Sequence, residues 1–406
     1  MGHSDLIGKR FNGHELQKSI IKRGVQSYHC VWNKISDDNN TFELSSVKNK
    51  RYLSKIFNHI DSRLSLQSLL TPWAFNLMFK EQFKLSDLVH YHVIHNGYFN
   101  IASLPILTHQ KPSIWTLHDP WAITGHCIHP YQCNKWITGC GNCQDLDVEY
   151  AVSKDRTALM WKIKKNIYNK SEIDIVVASK WMLNLAQQSP LLSKFKIHHI
   201  SLGVDLEKFR PMDSEGAKKD FGVTPGSVVV CFRATNSKFK GLSYIKDCLR
   251  LLKTDKRICL MTFNERGLID EFIGKYQIID LGWVNDDEKI VKAYNAADIF
   301  LMPSTAESFG MMAIEAMACS KPVIAFDGTS LSEIIMPPVG GVSVLQGDVS
   351  ALVSALETLI DNKEMRIKIG ESALRLVEEN YDAMENTTRH IELYNDVLSR
   401  RKKKKI

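Results

Sequence analysis

Two carboxylates eight residues apart, Glu307 and Glu315, stand in the stretch DIFLMPSTAESFGMMAIEAMACSKPVIAF, residues 298–326. Between them, Ser308, Phe309 and Gly310 supply the free N–H groups of a helix start, where an anion is favoured. A helix start flanked by two acceptors suits a ligand that carries both phosphate and hydroxyls. The amides would take the phosphates and the carboxylates the hydroxyls, and a nucleotide sugar has both. The plainer alternative has Glu307 capping the helix and Glu315 solvated on its surface.

Other residues add to this chemistry. In GSVVVCFRATNSKFKGL (226–242), Arg233, Lys238 and Lys240 follow an apolar run and precede Gly241 and a helix. Basic side chains at a strand's carboxyl end, in front of a helix start, form a pyrophosphate site, although exposed basic loops are also common. In SIWTLHDPWAITGHC (113–127), His118 and Asp119 end a strand, where ligands are met in open α/β sheets. His90 and His92, alternating with apolar residues in LVHYHVIHNGYFN (88–100), read as strand histidines satisfied by hydrogen bonds. Cys127, Cys133, Cys140 and Cys143 have the spacing C-x5-C-x6-C-x2-C. Four thiolates so spaced can wrap one tetrahedral Zn²⁺ in a closed, structural site, with His126 and His129 as substitutes. Free thiols or a disulfide pair are the alternatives.

The elements that must position these groups alternate strand and helix. Around the two carboxylates the pattern predicts a strand over 298–302, stopped by Pro303, a helix over 311–319 and a strand over 323–326. Downstream of the basic run it predicts strands at 257–263 and 278–281 and helices at 286–296, 349–362, 364–379 and 382–400. The run containing Arg233 predicts a strand over 227–232. Upstream, strands are expected at 27–32, 113–117, 174–178 and 197–200, with helices at 14–23, 66–79 and 153–169. Ser179 is expected to cap the helix that follows 174–178. Residues 1–13 read as a loop, so the first sheet position is left open.

At 406 residues, with 44% hydrophobic and 24% charged residues, the chain suits two soluble globular domains. Its apolar runs fall well short of the roughly 20 residues needed to span a bilayer. The start, MGHSDLIGKRFNG, has no apolar h-region, and nine cysteines fit reduced thiols or metal, so a cytoplasmic location is expected. The net charge of +7 includes the tail RRKKKKI (400–406), which reads as a solvated helix end or as a contact with anionic lipid. No aromatic residue is interleaved with it, so nucleic acid is not an expected partner.

Several of these motifs, in order, resemble one family. PSTAESFGMMAIEAMACSKPVIAF is similar to the donor-site segment of retaining glycosyltransferases of family 4, with its E-x7-E motif and helix-to-PV step. Ser320 stands where that family usually has glycine. The Arg233…Lys240-Gly241 loop, the TLHD step, GWVNDDE (282–288) and the hinge-like SLGVDLEKFRP (201–211) continue the likeness. The resemblance implies an α/β, GT-B architecture of two Rossmann-like domains facing across a cleft. The expected boundaries are 1–203, with a Cys-rich insertion at 126–145, then 204–380, and a helix with basic tail at 381–406.

It implies transfer of a sugar from a UDP- or GDP-linked donor to a lipid-linked saccharide acceptor, in surface polysaccharide or O-antigen synthesis. No catalytic cofactor is implied, and the location would be cytoplasmic or peripheral on the inner membrane face. Arg233 and Lys240 would hold the diphosphate. Glu307 would contact the donor sugar and Glu315 the ribose. Ser308, Phe309 and Gly310 would bind the donor, Trp283 and Val284 would lie against the base, and His118 would face them from the other domain. A non-catalytic nucleotide-sugar-binding protein, or another enzyme of this fold such as an epimerase, remains the alternative.

Overall fold

The computed structural model describes residues 1–95, 97–148 and 151–403. The chain forms two compact units. One comprises residues 1–201 with the chain from Asn386 onward, and the other Leu202–Glu385.

In the first unit, parallel strands β1 (Gly2–Ser4), β2 (His29–Asn33) and β3 (Thr41–Glu43) lie in that order. A second parallel set runs β4 (Val89–His92), β5 (Ser113–Leu117), β6 (Asp174–Val177) and β7 (Ile197–His199). Met1 joins the two sets: its amino group donates to His90 O (2.7 Å) and its carbonyl accepts from His92 N (2.8 Å). Every residue of β5 is buried, as a strand covered on both faces must be. Tyr91, Phe99, Trp115, Trp121 and Tyr168 lead the core packed around it.

The N-terminal residues differ from expectation. Residues 1–13 are not all loop, because Gly2–Ser4 pairs with β2. The stretch 66–79 is not one helix: only a 3₁₀ segment, Trp73–Phe79, forms behind Pro72. Proline lacks the N–H that a helix interior needs, and Ser65 and Ser68 take positive φ, so no helix runs through 65–72. Instead the helix of this region is Lys50–Arg63, which was not anticipated. The helix expected over 153–169 begins at Thr157. Ser179 does cap its helix, accepting from Met182 N.

The long C-terminal helix, Ala383–Lys403, enters the first unit from Asn386 onward. There Tyr394 OH meets His90 Nδ1 at 2.8 Å, Arg400 pairs with Asp174 at 2.6 Å, and Arg401 pairs with Glu172 and the His109 carbonyl. Two of the tail's cations are therefore engaged within the protein. Residues 404–406 of the tail, like Asn96, lie outside the described residues.

The second unit has one parallel sheet of β8 (Val228–Ala234), β9 (Ile258–Asn264), β10 (Gln277–Asp280), β11 (Ile299–Met302), β12 (Val323–Phe326) and β13 (Gly341–Val344). Their order is β10-β9-β8-β11-β12-β13. The chain thus works outward from β8 in one direction, then returns to its other side at β11. Ile299 is in register with Val230 and Leu301 with Phe232, which brings the loops after β8 and β11 out side by side. In open α/β sheets, crevices for ligands form at such a reversal of strand order. GTSLSEII is partly helical, with Thr329 capping Ser330–Ile335. Ser320, at the end of the helix Met311–Ala318, has φ 60 and so takes the left-handed conformation that glycine adopts most cheaply.

Candidate functional site

The loops after β8 and β11 interlock. Thr305 N donates to Phe239 O (2.8 Å). Gly241, at φ 73, lies so close to the Pro303 carbonyl that a Cβ there would overlap it. This explains glycine at 241 twice over, by backbone conformation and by close approach. Held this way, Lys240 Nζ meets Glu307 Oε2 at 2.7 Å, with 23% and 15% of the two side chains exposed. A cation and a carboxylate 67 residues apart in sequence are thus paired at the mouth of the strand-order reversal.

Arg233, near the end of β8, donates to Asn264 Oδ1 at 3.4 Å. Glu265, just beyond β9, gathers the β8 loop by accepting from Thr235 OH, Asn236 N and Asn236 Nδ2. The Thr235 hydrogen bond holds its carboxyl below the usual range. Sequence reasoning overlooked Asn264 and Glu265. Their signal was a polar pair directly after the apolar run of β9.

Gly310 is the N-cap of Met311–Ala318 at φ 114, and that helix has no side-chain cap. Behind it, Ser330 fastens the loop. Its hydroxyl lies 2.9 Å from Glu307 O and 2.8 Å from Phe309 O and can donate to either. Phe309 is buried and packs edge-on against Tyr381. Glu315 is fully buried, and its Oε2 accepts from Tyr294 OH at 3.0 Å. The solvated alternative for Glu315 is therefore excluded. Trp283 is 63% exposed, with its indole N–H given to Asn285, so core packing does not account for it. Val284 beside it is half-buried.

His118 belongs to the first unit and follows β5. Its Nε2 stands 3.0 Å from His92 Nδ1, the two rings stacked at 5.3 Å. Burial pushes its pKa down to about 4, against the opposing pull of Asp119. Asp119 is held by His95 Nε2 (3.0 Å) and by Trp121 N (2.8 Å). His90 spans Thr116 Oγ1 (2.7 Å) and Tyr394 OH (2.8 Å), so the reading of His90 as a hydrogen-bonded strand histidine is met. Gly13, at φ 93, closes on His92, whose ring a Cβ would overlap. The segment after Asp119 is fixed from below by Lys164, a buried lysine that sequence reasoning missed. It donates to Trp121 O (2.6 Å) and Thr124 O (2.9 Å), and burial lowers its pKa to about 7.

The four cysteines expected to hold zinc stand as separate thiols in this structure. Cys127, Cys133, Cys140 and Cys143 are free thiols, and among the described residues no group of three or more His, Cys, Asp or Glu could hold a metal ion. The sulfurs have other surroundings. Cys140 Sγ accepts from Gly125 N at 3.2 Å, and Cys143 Sγ lies 3.8 Å from His126 Nε2. Burial pushes the Cys127 thiol up to about 12 and the Cys140 thiol up to about 11. The disulfide alternative is likewise not met.

Residues 218–375 match the family model described as glycosyl transferases group 1. A protein of Escherichia coli (strain K12) assigned to colanic acid biosynthesis as the glycosyl transferase WcaC is 24% identical over 281 residues, 66% of each chain. A D-inositol 3-phosphate glycosyltransferase of Pseudarthrobacter chlorophenolicus is 31% identical over 183 residues, 42% of this chain and 43% of that one. The matches thus span just under two thirds of the first relative's length and less than half of the second's. Among solved structures, Anabaena Alr3699/HepE in complex with UDP and glucose superposes with a TM-score of 0.63 at 16% identity, over 94% of this chain and 96% of that one.

Proposed function

This chain carries a glycosyltransferase group 1 domain at residues 218–375 on an α/β fold of GT-B type, and from that premise we propose that it is a retaining glycosyltransferase. It moves a sugar from a nucleotide-diphosphate donor to a hydroxyl of a saccharide acceptor. The bond from the anomeric carbon to the diphosphate oxygen breaks, a bond to the acceptor oxygen forms, and the hydroxyl proton leaves with the diphosphate. The observation that carries the reading is the Lys240–Glu307 pair at the adjoining carboxyl ends of β8 and β11.

Lys240 and Arg233 hold the diphosphate and stabilise its charge as it departs. The N–H groups of 308–310 add to that field. Glu307 takes a sugar hydroxyl, and Glu315, fully buried and held by Tyr294, is uncovered to take the ribose when the donor binds. Trp283 lies against the base, for which its exposed ring is suited, with Val284 beside it. His118, neutral at physiological pH because burial lowers its pKa, acts as a hydrogen-bonding group rather than a charge. With Nε2 directed to His92, Nδ1 is the nitrogen left for a ligand.

The donor is UDP-linked, as the likeness to a protein solved with UDP suggests, with GDP as the competitor to exclude. The acceptor is a lipid-linked saccharide of surface polysaccharide synthesis, a reading supported by the relative assigned to colanic acid biosynthesis. Such an acceptor would be met at a peripheral position on the inner membrane face; among the described residues no helix is long and apolar enough to cross a membrane.

A thermal-shift screen against UDP, GDP, ADP and their common sugars tests the donor site. A ligand at 100 times its Kd adds about 2.7 kcal/mol. The expected result is a shift with one base that is lost in Arg233→Ala and in Glu315→Ala. No shift with any nucleotide sinks the proposal.

A further inference from the structure

The helix Lys50–Arg63 has an outer face that nothing among the described residues covers. Tyr52 (67% exposed), Ile56 (42%), Ile60 (40%) and, just past the last turn, Leu64 (38%) follow one another at steps of four. On a helix that spacing makes one continuous apolar stripe. Lys48, Arg51, Lys55 and Arg63 are exposed beside it. The only carboxylate between residues 46 and 64 is Asp61, and it is buried. Single exposed apolar residues are ordinary on any surface. Four in line, flanked by four cations and with no exposed carboxylate in residues 46–64, are not.

The inner face holds this surface rigidly in place. Trp73 Nε1 donates to Ser54 Oγ at 2.7 Å, Phe57 packs edge-on against Trp73, and Lys50 forms an ion pair with Glu43 at 2.7 Å.

We propose that this helix docks the protein on an anionic lipid bilayer. The stripe enters the boundary between headgroups and acyl chains, and the cations meet the anionic headgroups. Charge complementarity selects this occupant. A second copy of the same face would set cations against cations, and nucleic acid would leave the four apolar side chains against phosphate. The inference stands on the first unit alone and does not depend on the donor site.

The test is flotation of the full-length protein with vesicles of phosphatidylcholine alone or with phosphatidylglycerol. Binding is expected only to the anionic vesicles and should weaken as salt rises. The pair Lys55→Gln with Arg63→Gln should lower partitioning about 30-fold, since each surface cation contributes about a fivefold factor. Ile56→Ser with Ile60→Ser should lower it about tenfold or more. All four positions are exposed, and an unchanged melting temperature and nucleotide-induced shift would confirm folding. Three results would overturn the proposal: no binding to either vesicle; binding that survives both variants but is lost on deletion of residues 402–406; or self-association or DNA binding, rather than vesicle binding, that disappears with the stripe.

Discussion

Replacing Glu307 with glutamine should tighten the binding of free nucleoside diphosphate while abolishing transfer. At the observed Nζ–Oε2 separation of 2.7 Å and an effective dielectric of about 20, the gross attraction of the Lys240–Glu307 pair is about 6 kcal/mol. Both side chains keep some solvent contact, so desolvation and screening offset most of it and leave about 1 kcal/mol. A diphosphate that takes Lys240 must work against that remainder. Glu307→Gln removes it, so UDP should bind about fivefold more tightly. Lys240→Met removes charge-assisted hydrogen bonds worth about 1.5–3 kcal/mol, weakening UDP by roughly tenfold to a hundredfold. The double variant should bind no better than Lys240→Met, because the opposition of Glu307 runs through Lys240. Calorimetric titration of the four proteins with UDP and GDP reads all of this, and a coupled assay of sugar transfer reads the loss of activity. If Glu307→Gln binds no more tightly than the parent, or Lys240→Met binds equally well, the two side chains do not flank a diphosphate and the reasoning is refuted.

Other consequences can be measured on the same protein. His118 and His390 are both held at about 4 by burial, so the unfolded chain binds more protons than the native one between pH 6.5 and 4. Stability should be full above pH 6.5 and fall by about 1.4 kcal/mol per pH unit per group as the pH drops, which urea midpoints from pH 7 to 4.5 would show; a flat profile would contradict it. Gly241→Ala should cost about 3 kcal/mol and weaken UDP binding, because the added Cβ separates the loops that hold Lys240 and Glu307; an unchanged melting curve would refute the close approach. Ser320→Gly should stabilise by up to about 1 kcal/mol, seen as a rise of about 2 °C in melting temperature, since Ser320 already sits at φ 60. Elemental analysis tests the zinc reading of Cys127, Cys133, Cys140 and Cys143: one zinc per chain is expected if the four thiols close around a metal, and none would leave them as the separate thiols described here.

The unit around 298–326 was legible because its signals agree. Strands buried on both faces give unbroken apolar runs; Pro303 and Pro322 bound the two strands, and Gly310 marks the start of the helix between them. The structure accordingly has β11 at Ile299–Met302, a helix at Met311–Ala318 and β12 at Val323–Phe326. Residues 33–86 were hard to read for the opposite reason. β3 is only three residues long, too short for any period to emerge. The helix Lys50–Arg63 turns its apolar stripe, Tyr52, Ile56, Ile60 and Leu64, to solvent, so its period does not show which side faces the core. At the candidate site, the sequence supplied Glu307 and Lys240 as separate suggestions. Their pairing depends on β8 lying next to β11, a fact of topology that no local pattern encodes. Glu265 was missed because its partners, Thr235 and Asn236, lie on a different strand's loop.

The interlocked loops carry a lesson for engineering. Gly241 rests on the Pro303 carbonyl, Phe239 is hydrogen-bonded to Thr305, and Glu265 holds 235–236 from the other side. Segments 235–241 and 303–310 are in effect one cassette assembled from distant parts of the gene, with Glu265 as its clasp. A graft meant to change donor preference should exchange all three together. Shuffling either loop alone would break a fit that neither partner can restore by itself.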